Sequence, residues 1–343
     1  MKNIKNYYIY IFITTMTRNI VDIYSIIYLY QKNISLKEII FIYIIIYFLG
    51  IYFSKYTIIL GNLIGYKYLL MLSSIITSIT FYIITYKNNL YLIALFLSLS
   101  IFTYHPIRHY YGMSLLKYKK EIGRNLIYIY IANLISSYIV INNMKVIYLV
   151  IISIISIIPA FFIKKEFPKP IIYPKKIPIN KIKYFIYDQF KIIFILLEPL
   201  YLYLIYSNIS YVSIFNIILT LSSIIYMYIL VTKINIEKSY QYINILFTII
   251  LILKLNILNK NLLLIIAFFE GIGIKTNELV STMNFYRYKF NPGYIIISEK
   301  IFCVTRTLIL IIIYFLKIDL KLALYLLTIG IFILSFQYKK DTI

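Results

Sequence analysis

Twelve charged residues lie inside runs otherwise dominated by Ile, Leu, Tyr and Phe: Arg18, Asp22, Arg108, Asp188, Lys191, Glu198, Glu270, Lys275, Glu278, Glu299, Lys300 and Arg306. Six are positive and six negative, so no single sign of charge lines these runs. Arg18 and Asp22 stand four residues apart, which puts them on one face of a helix. They form either an ion pair that opens when a solute or proton binds, or a permanent structural pair. Arg108 sits between His105 and His109 in TYHPIRHY, where Pro106 removes a helix hydrogen bond. It can hold an anionic solute group or a lipid phosphate, or extend to the headgroups. Glu198 is followed by Pro199, and Glu270 by Gly271 and Gly273. Surroundings of low dielectric favour the neutral form of a carboxylate, which is what a proton-coupling group requires; Glu270 is the stronger candidate. Arg306, flanked by Thr305 and Thr307, needs a counter-ion from Glu270, Glu198 or Asp22, or from a solute carboxylate or phosphate.

Other chemistries lack their residues. The chain has one cysteine, Cys303, in an apolar run, which excludes an internal disulfide or a cysteine-based metal site. Two histidines four residues apart could ligate a metal, but no HExxH pattern or third ligand accompanies them. Neither a metal nor a cofactor is expected. There is no Walker A pattern, so the chain does not pump at the expense of ATP.

The elements that must hold these charges follow from composition. Of 343 residues, 62% are hydrophobic and 14% charged, against about 45–50% and about 25% in soluble domains. A soluble fold could not cover so much apolar side chain. The formal charge of +23 lies mostly between apolar runs, which points to cytoplasmic loops and not to nucleic acid. With no Trp and 40 Tyr, tyrosine must supply the interfacial belt. The first run begins near Tyr7 and is too long for a cleavable signal, so it reads as the first span.

A spanning helix needs roughly 20 apolar residues. Cutting at the polar breaks predicts twelve, at 7–30, 37–57, 68–86, 90–114, 124–142, 146–163, 184–206, 210–231, 240–257, 261–284, 293–316 and 318–337. With both termini inside, twenty-one Lys and Arg fall on the cytoplasmic side and eight outside, Lys254 among the latter. That asymmetry supports cytoplasmic termini. Between Lys164 and Lys183 the chain reads KKEFPKPIIYPKKIPINKIK, whose four prolines favour an extended connector. The predicted organisation is an all-α integral membrane protein with an N-terminal six-helix bundle (1–163), a Pro/Lys-rich linker (164–183) and a C-terminal six-helix bundle (184–343).

In topology the chain resembles the major facilitator superfamily over nearly its whole length. The family carries a signature between spans two and three, where this chain reads IILGNLIGYK. Leu60, Gly65 and Lys67 match it; Asn62 stands where the family usually has Asp, and Ile58 where it has Gly. The resemblance implies a gating role for this loop. It also implies that spans one, four, seven and ten line a central cavity, and these spans hold most of the buried charge. The expected function is secondary transport of a small polar or zwitterionic solute by alternating access, with protons as the candidate coupling ion. Its partners are the solute and membrane lipids, its expected state a monomer, and its location the inner cell membrane. A passive facilitator, an embedded lipid-modifying enzyme using Arg108 and the two histidines, and an assembly protein descended from a transporter are the alternatives.

Overall fold

In a hydrocarbon layer every backbone N–H and C=O must be satisfied within the chain, so a single chain this apolar folds into helices. The structure, a computed structural model, describes residues 2–87, 89–116, 118–142, 146–163, 170–174, 177–232, 236–286 and 291–337. They form α1 (Lys2–Asn19), a π-helical turn (Ile20–Tyr24), α2 (Ser25–Gln31), α3 (Leu36–Ile64), α4 (Tyr66–Tyr86), α5 (Leu90–Leu115), α6 (Lys119–Ile141), α7 (Val146–Ile155), α8 (Ile157–Phe161), α9 (Ile179–Tyr206), α10 (Ile209–Thr232), α11 (Ile236–Asn256), α12 (Lys260–Tyr286), α13 (Pro292–Phe315) and α14 (Leu320–Gln337). No strand occurs among the described residues.

Taking α1, the π-helical turn and α2 as one rod, and α7 with α8 as another, there is one helical rod at each of the twelve positions expected from hydropathy. Among the described residues six helices are long and apolar enough to cross a membrane by length and composition: α3, α4, α5, α6, α9 and α10. The helices α12 and α13 are of similar length and carry charged residues along them.

Local signals set the ends. Ser35 caps α3 by accepting from the Glu38 amide at 3.3 Å, while Glu38 Oε2 accepts from the Ser35 amide at 2.8 Å. Asn291 caps α13 ahead of Pro292, accepting from the Gly293 amide at 2.9 Å. Asn33 and Ser207, at φ 63° and 49°, end the rods that begin the two halves, a point of correspondence that hydropathy does not show.

Two expectations need correction. The segment expected as a loop from Ile58 to Lys67 is helical as far as Ile64, because nothing before Gly65 stops α3. Gly65, at φ 104°, makes the break and leads straight into α4. The linker ends earlier than expected, since Pro178 supplies the fixed φ that opens α9 at Ile179; Pro170–Pro174 are non-helical, while Lys164–Lys169 lie outside the described residues. Pro106 lies inside α5, which continues to Leu115.

The compact units also differ from a division at the linker. One unit holds Met1–Leu115, Asn143–Lys176 and Lys289–Leu316; the other holds Leu116–Asn142, Ile177–Tyr288 and Lys317–Ile343. Each has thus taken one helix from the other half of the sequence. In the first unit α13 packs along α3, and α5 packs on both α3 and α4. In the second, α6 packs along α10, α10 on α12, and α14 on α9 and α11. Hydropathy finds apolar helices but does not say which faces pair.

Small and hydroxylated residues let helices approach where no hydrophobic drive separates helix from lipid. In the first unit Ser74 Oγ meets Ser156 Oγ at 2.6 Å, and Ser98 donates to the Ile46 carbonyl at 3.1 Å. Gly50 lies under Phe102, where a Cβ would come within 2.2 Å of the ring.

Candidate functional site

Each unit holds buried ionisable side chains. In the second unit Lys254, near the end of α11, is completely buried. Its ammonium donates to Glu198 of α9 and, at 2.6 Å, to Oε1 of Glu270 on α12. The rings of Phe194 and Phe215 flank it, with centroids 4.8 and 5.5 Å from Nζ. Glu270 is fully buried, and its Oε2 has no hydrogen-bond partner among the described residues. Two carboxylates share one ammonium, so the fully ionised group carries one negative charge in a dry site.

Local sequence explains how these groups meet. Gly271 follows Glu270, and a Cβ there would lie 2.1 Å from Ser222 Oγ and 2.3 Å from the Leu219 carbonyl oxygen of α10. The bare glycine lets α12 settle on α10 while Glu270 faces Lys254. Pro199 follows Glu198 within α9, which stays continuous.

Lys254 was not legible as a site residue. Its place beside the break after Asn256 assigns it to an external connector by charge counting, yet it belongs to the helical rod and reaches the core. The usable signal was one lysine within the run predicted at 240–257, which in hydrocarbon needs a carboxylate partner.

Further along the same unit, Lys191 donates to Asp188 at 2.5 Å and Ser281 to the other Asp188 oxygen at 3.0 Å. Lys275 pairs with Glu278 at 2.9 Å, three residues apart on one helix face. Tyr130 donates to Glu278 at 3.0 Å, and its ring centroid lies 4.1 Å from the Lys275 ammonium. Tyr240, Asn277 and Asn244 form a buried chain in which Tyr240 donates to Asn277 at 2.9 Å and Asn277 donates to Asn244.

The first unit gathers cations. Arg18 is buried and donates to the Ser100 carbonyl at 2.8 Å and to Thr77 Oγ1 at 3.2 Å, with its guanidinium 4.2 Å from the Tyr104 centroid. The π-helical turn that follows does not keep the α-helical register assumed for the pair with Asp22. Asp22 has its backbone in that turn; its side chain lies outside the described residues. His109 Nε2 stands 3.4 Å from Glu299 Oε1 on α13. Arg306, two turns further along α13, lies 5.1 Å from the Tyr47 centroid and 6.0 Å from that of Phe302. Arg18, Arg108 and Arg306 thus fall within one unit, while Glu198 and Glu270 meet through Lys254 in the other. Neither carboxylate is in the unit that holds Arg306. Cys303 is buried, in keeping with a packed thiol. Among the described residues no group of three or more His, Cys, Asp or Glu could hold a metal ion.

The segment that joins α3 to α4 has its own arrangement. Tyr66 turns back over Gly61 and donates to Asn62 Oδ1 at 2.8 Å and to the Ile58 carbonyl at 3.3 Å. Its ring stacks on Tyr110 with centroids 3.6 Å apart. Lys67 lies 4.3 Å from the Phe161 ring centroid, and Leu60 is exposed on α3.

No protein-family model matches the chain, and no curated protein matches it in sequence. Solved structures match it closely in shape. A bacterial homologue of the iron transporter ferroportin, in its outward-facing state, aligns with a TM-score of 0.68 and 10% identity, covering 98% of both chains. The human organic anion transporter MFSD10 (TETRAN) aligns with a TM-score of 0.68 and 7% identity, again over 98% of each. The chain shares the fold of these two solved transporters.

Proposed function

We propose that the chain is a secondary transporter that moves a small polar or zwitterionic solute across a membrane by alternating access, with proton movement coupled at Glu198, Lys254 and Glu270. The observation that carries this reading is the buried ammonium shared by two carboxylates, inside a transporter fold. One proton taken up by the group neutralises it, and its loss restores a charge that must be stabilised anew. Such a change can bias one conformation over another.

In this reading all twelve rods span the bilayer, both termini are cytoplasmic, and the protein works as a monomer in the inner cell membrane. Leu60, Gly65 and Lys67 belong to the gating segment. Its Tyr66–Asn62 hydrogen bond stands where the superfamily signature would place a charged residue. The solute is not set by the fold, since one structural neighbour is named for iron and another for organic anions.

The test is uptake by proteoliposomes from a defined mixture of amino acids, carboxylates, sugar phosphates and neutral sugars, with the contents measured by mass spectrometry. Coupled transport concentrates one component only under an imposed pH gradient. Equal uptake without the gradient identifies a facilitator. That second reading draws on Lys254 itself, whose two ion pairs also suit a permanent clamp between helices.

A further inference from the structure

We propose that protons reach and leave the Glu198–Lys254–Glu270 group through the interior of the second unit, along a polar seam between α9, α11 and α12. Asp188 is the exchange group at the far end of that seam, and the Phe247 ring is the barrier within it. This route deepens the coupling reading above and rests on it for its physiological role.

Sequence spacing builds the seam. Asp188, Lys191 and Glu198 follow one another along α9 at steps of three and seven residues. Tyr240, Asn244 and Lys254 stand along α11 at steps of four and ten, and Glu270, Asn277 and Ser281 along α12 at steps of seven and four. Such steps return side chains to nearly one face of a helix. All of these residues are buried except Ser281, which is half-buried.

The three faces meet at two levels. At the first, Lys254 bonds Glu198 and Glu270. The second lies about 15 Å further along the helices, since Asp188, Asn244 and Ser281 are ten or eleven residues from those groups. There Asp188 accepts from Ser281 at 3.0 Å and from Lys191 at 2.5 Å. Ser281 is four residues from Asn277, its neighbour on the helix face. Asn277 carries the layer on to α11, accepting from Tyr240 at 2.9 Å and donating to Asn244.

Polar side chains inside a membrane bundle are costly, and rows of them with ionisable groups mark ion and proton paths. This row has a carboxylate at each end. Each level also has a buried polar atom without a hydrogen-bond partner among the described residues: Glu270 Oε2 at the first and Asn244 Nδ2 at the second. Buried polar atoms are nearly always satisfied, and water fills that role where several polar groups converge. Between the levels Phe247 of α11 rests on Gly273 of α12, where a Cβ would come within 2.4 Å of the ring. An apolar constriction of this kind interrupts a water path until it moves. Once it has moved, the Glu270 carboxyl gives its proton to water and the Asp188 carboxylate takes one up, then yields it to solvent. In the orientation of the coupling reading, Asp188 is on the cytoplasmic side.

The full chain is reconstituted into liposomes with a pH-sensitive dye sealed inside, and a potassium diffusion potential set by valinomycin drives protons inward with no solute present. Phe247→Ala admits protons at least about fivefold faster than the wild type, as expected when a constriction is opened. Adding Asp188→Asn to that chain returns the rate to the wild-type level. Phe268→Ala, which trims an exposed ring of α12, leaves the rate unchanged. Variants are compared only where the melting curve shows a single folded transition, and Phe247→Leu replaces Phe247→Ala where it does not. A second measurement leaves Phe247 in place: in Ser281→Cys the new thiol reacts with a small cationic methanethiosulfonate at least about tenfold faster than buried Cys303, because it lies on the wetted side of the ring. A folded Phe247 variant without a leak, a leak that survives Asp188→Asn, or a thiol at 281 as slow as Cys303 overturns the proposal. Any of these, together with gradient-driven uptake by the wild type, leaves the coupling reading standing without this route. A leak that requires Asp188, in a chain whose wild type shows no gradient-driven uptake, refutes the coupling reading and leaves the route standing.

Discussion

The ammonium of Lys254 lies 2.6 Å from Oε1 of Glu270, both side chains fully buried, on helices that hydropathy separates by a connector. The pair converts what reads as an isolated carboxylate into part of a three-member group. Its consequences can be measured.

Removing the lysine alone leaves two carboxylates facing each other without a cation. Breaking a buried ion pair from one side costs about 3–5 kcal/mol. Lys254→Met should therefore lower the melting temperature of the detergent-solubilised protein sharply. Adding Glu198→Gln and Glu270→Gln to the same chain should restore most of that loss, since an uncharged group of similar volume carries no unpaired charge. A single Lys254→Met variant with an unshifted melting temperature would show that the three residues are not energetically coupled.

Gly271 sets the approach of α12 to α10. A methyl group there would fall 2.1 Å from Ser222 Oγ and 2.3 Å from the Leu219 carbonyl, and only the serine can turn away. Overpacking of this kind costs about 1–3 kcal/mol. Gly271→Ala should destabilise the fold by that amount in thermal unfolding, and should reduce pH-driven uptake more than its stability loss explains, because Glu270 moves with the helix.

The break between α3 and α4 depends on one residue. Gly65 sits at φ 104°, where an L side chain is strained, and Gly65→Ala should cost about 1–3 kcal/mol. Tyr66→Phe removes the donor to Asn62 and the Ile58 carbonyl while keeping the stack on Tyr110. Its expected cost is about 0.5–1.5 kcal/mol. Circular-dichroism melts of the two variants should therefore rank the glycine substitution as equal or worse.

Much of this organisation is written in the sequence. Continuous apolar runs broken by short polar stretches locate the rods, since a helix must extend through the hydrocarbon without an unsatisfied backbone group. The same logic makes Arg18, Glu198, Glu270 and Arg306 conspicuous. What hydropathy does not encode is partnership. Glu198 and Lys254 are 56 residues apart, and no periodicity links them. His109 and Glu299 meet because α5 packs on α13, a helix whose sequence neighbours belong to the other unit. The π-helical turn at Ile20–Tyr24 is likewise silent in composition, because IVDIY suits an α-helix equally well. Tyr66 was legible only as an aromatic residue beside Gly65. Its return onto Gly61 depends on the sharp turn and on the absence of a side chain beneath the ring.

The most direct test of the coupling claim compares the wild type with Glu270→Gln in proteoliposomes loaded to carry an imposed pH gradient. Accumulation from the defined metabolite mixture and exchange of the same metabolite at equal pH are measured on the same vesicles. The account predicts that Glu270→Gln abolishes gradient-driven accumulation yet retains exchange, because the solute path persists while the proton-carrying group is lost. Undiminished accumulation by the glutamine variant would contradict it.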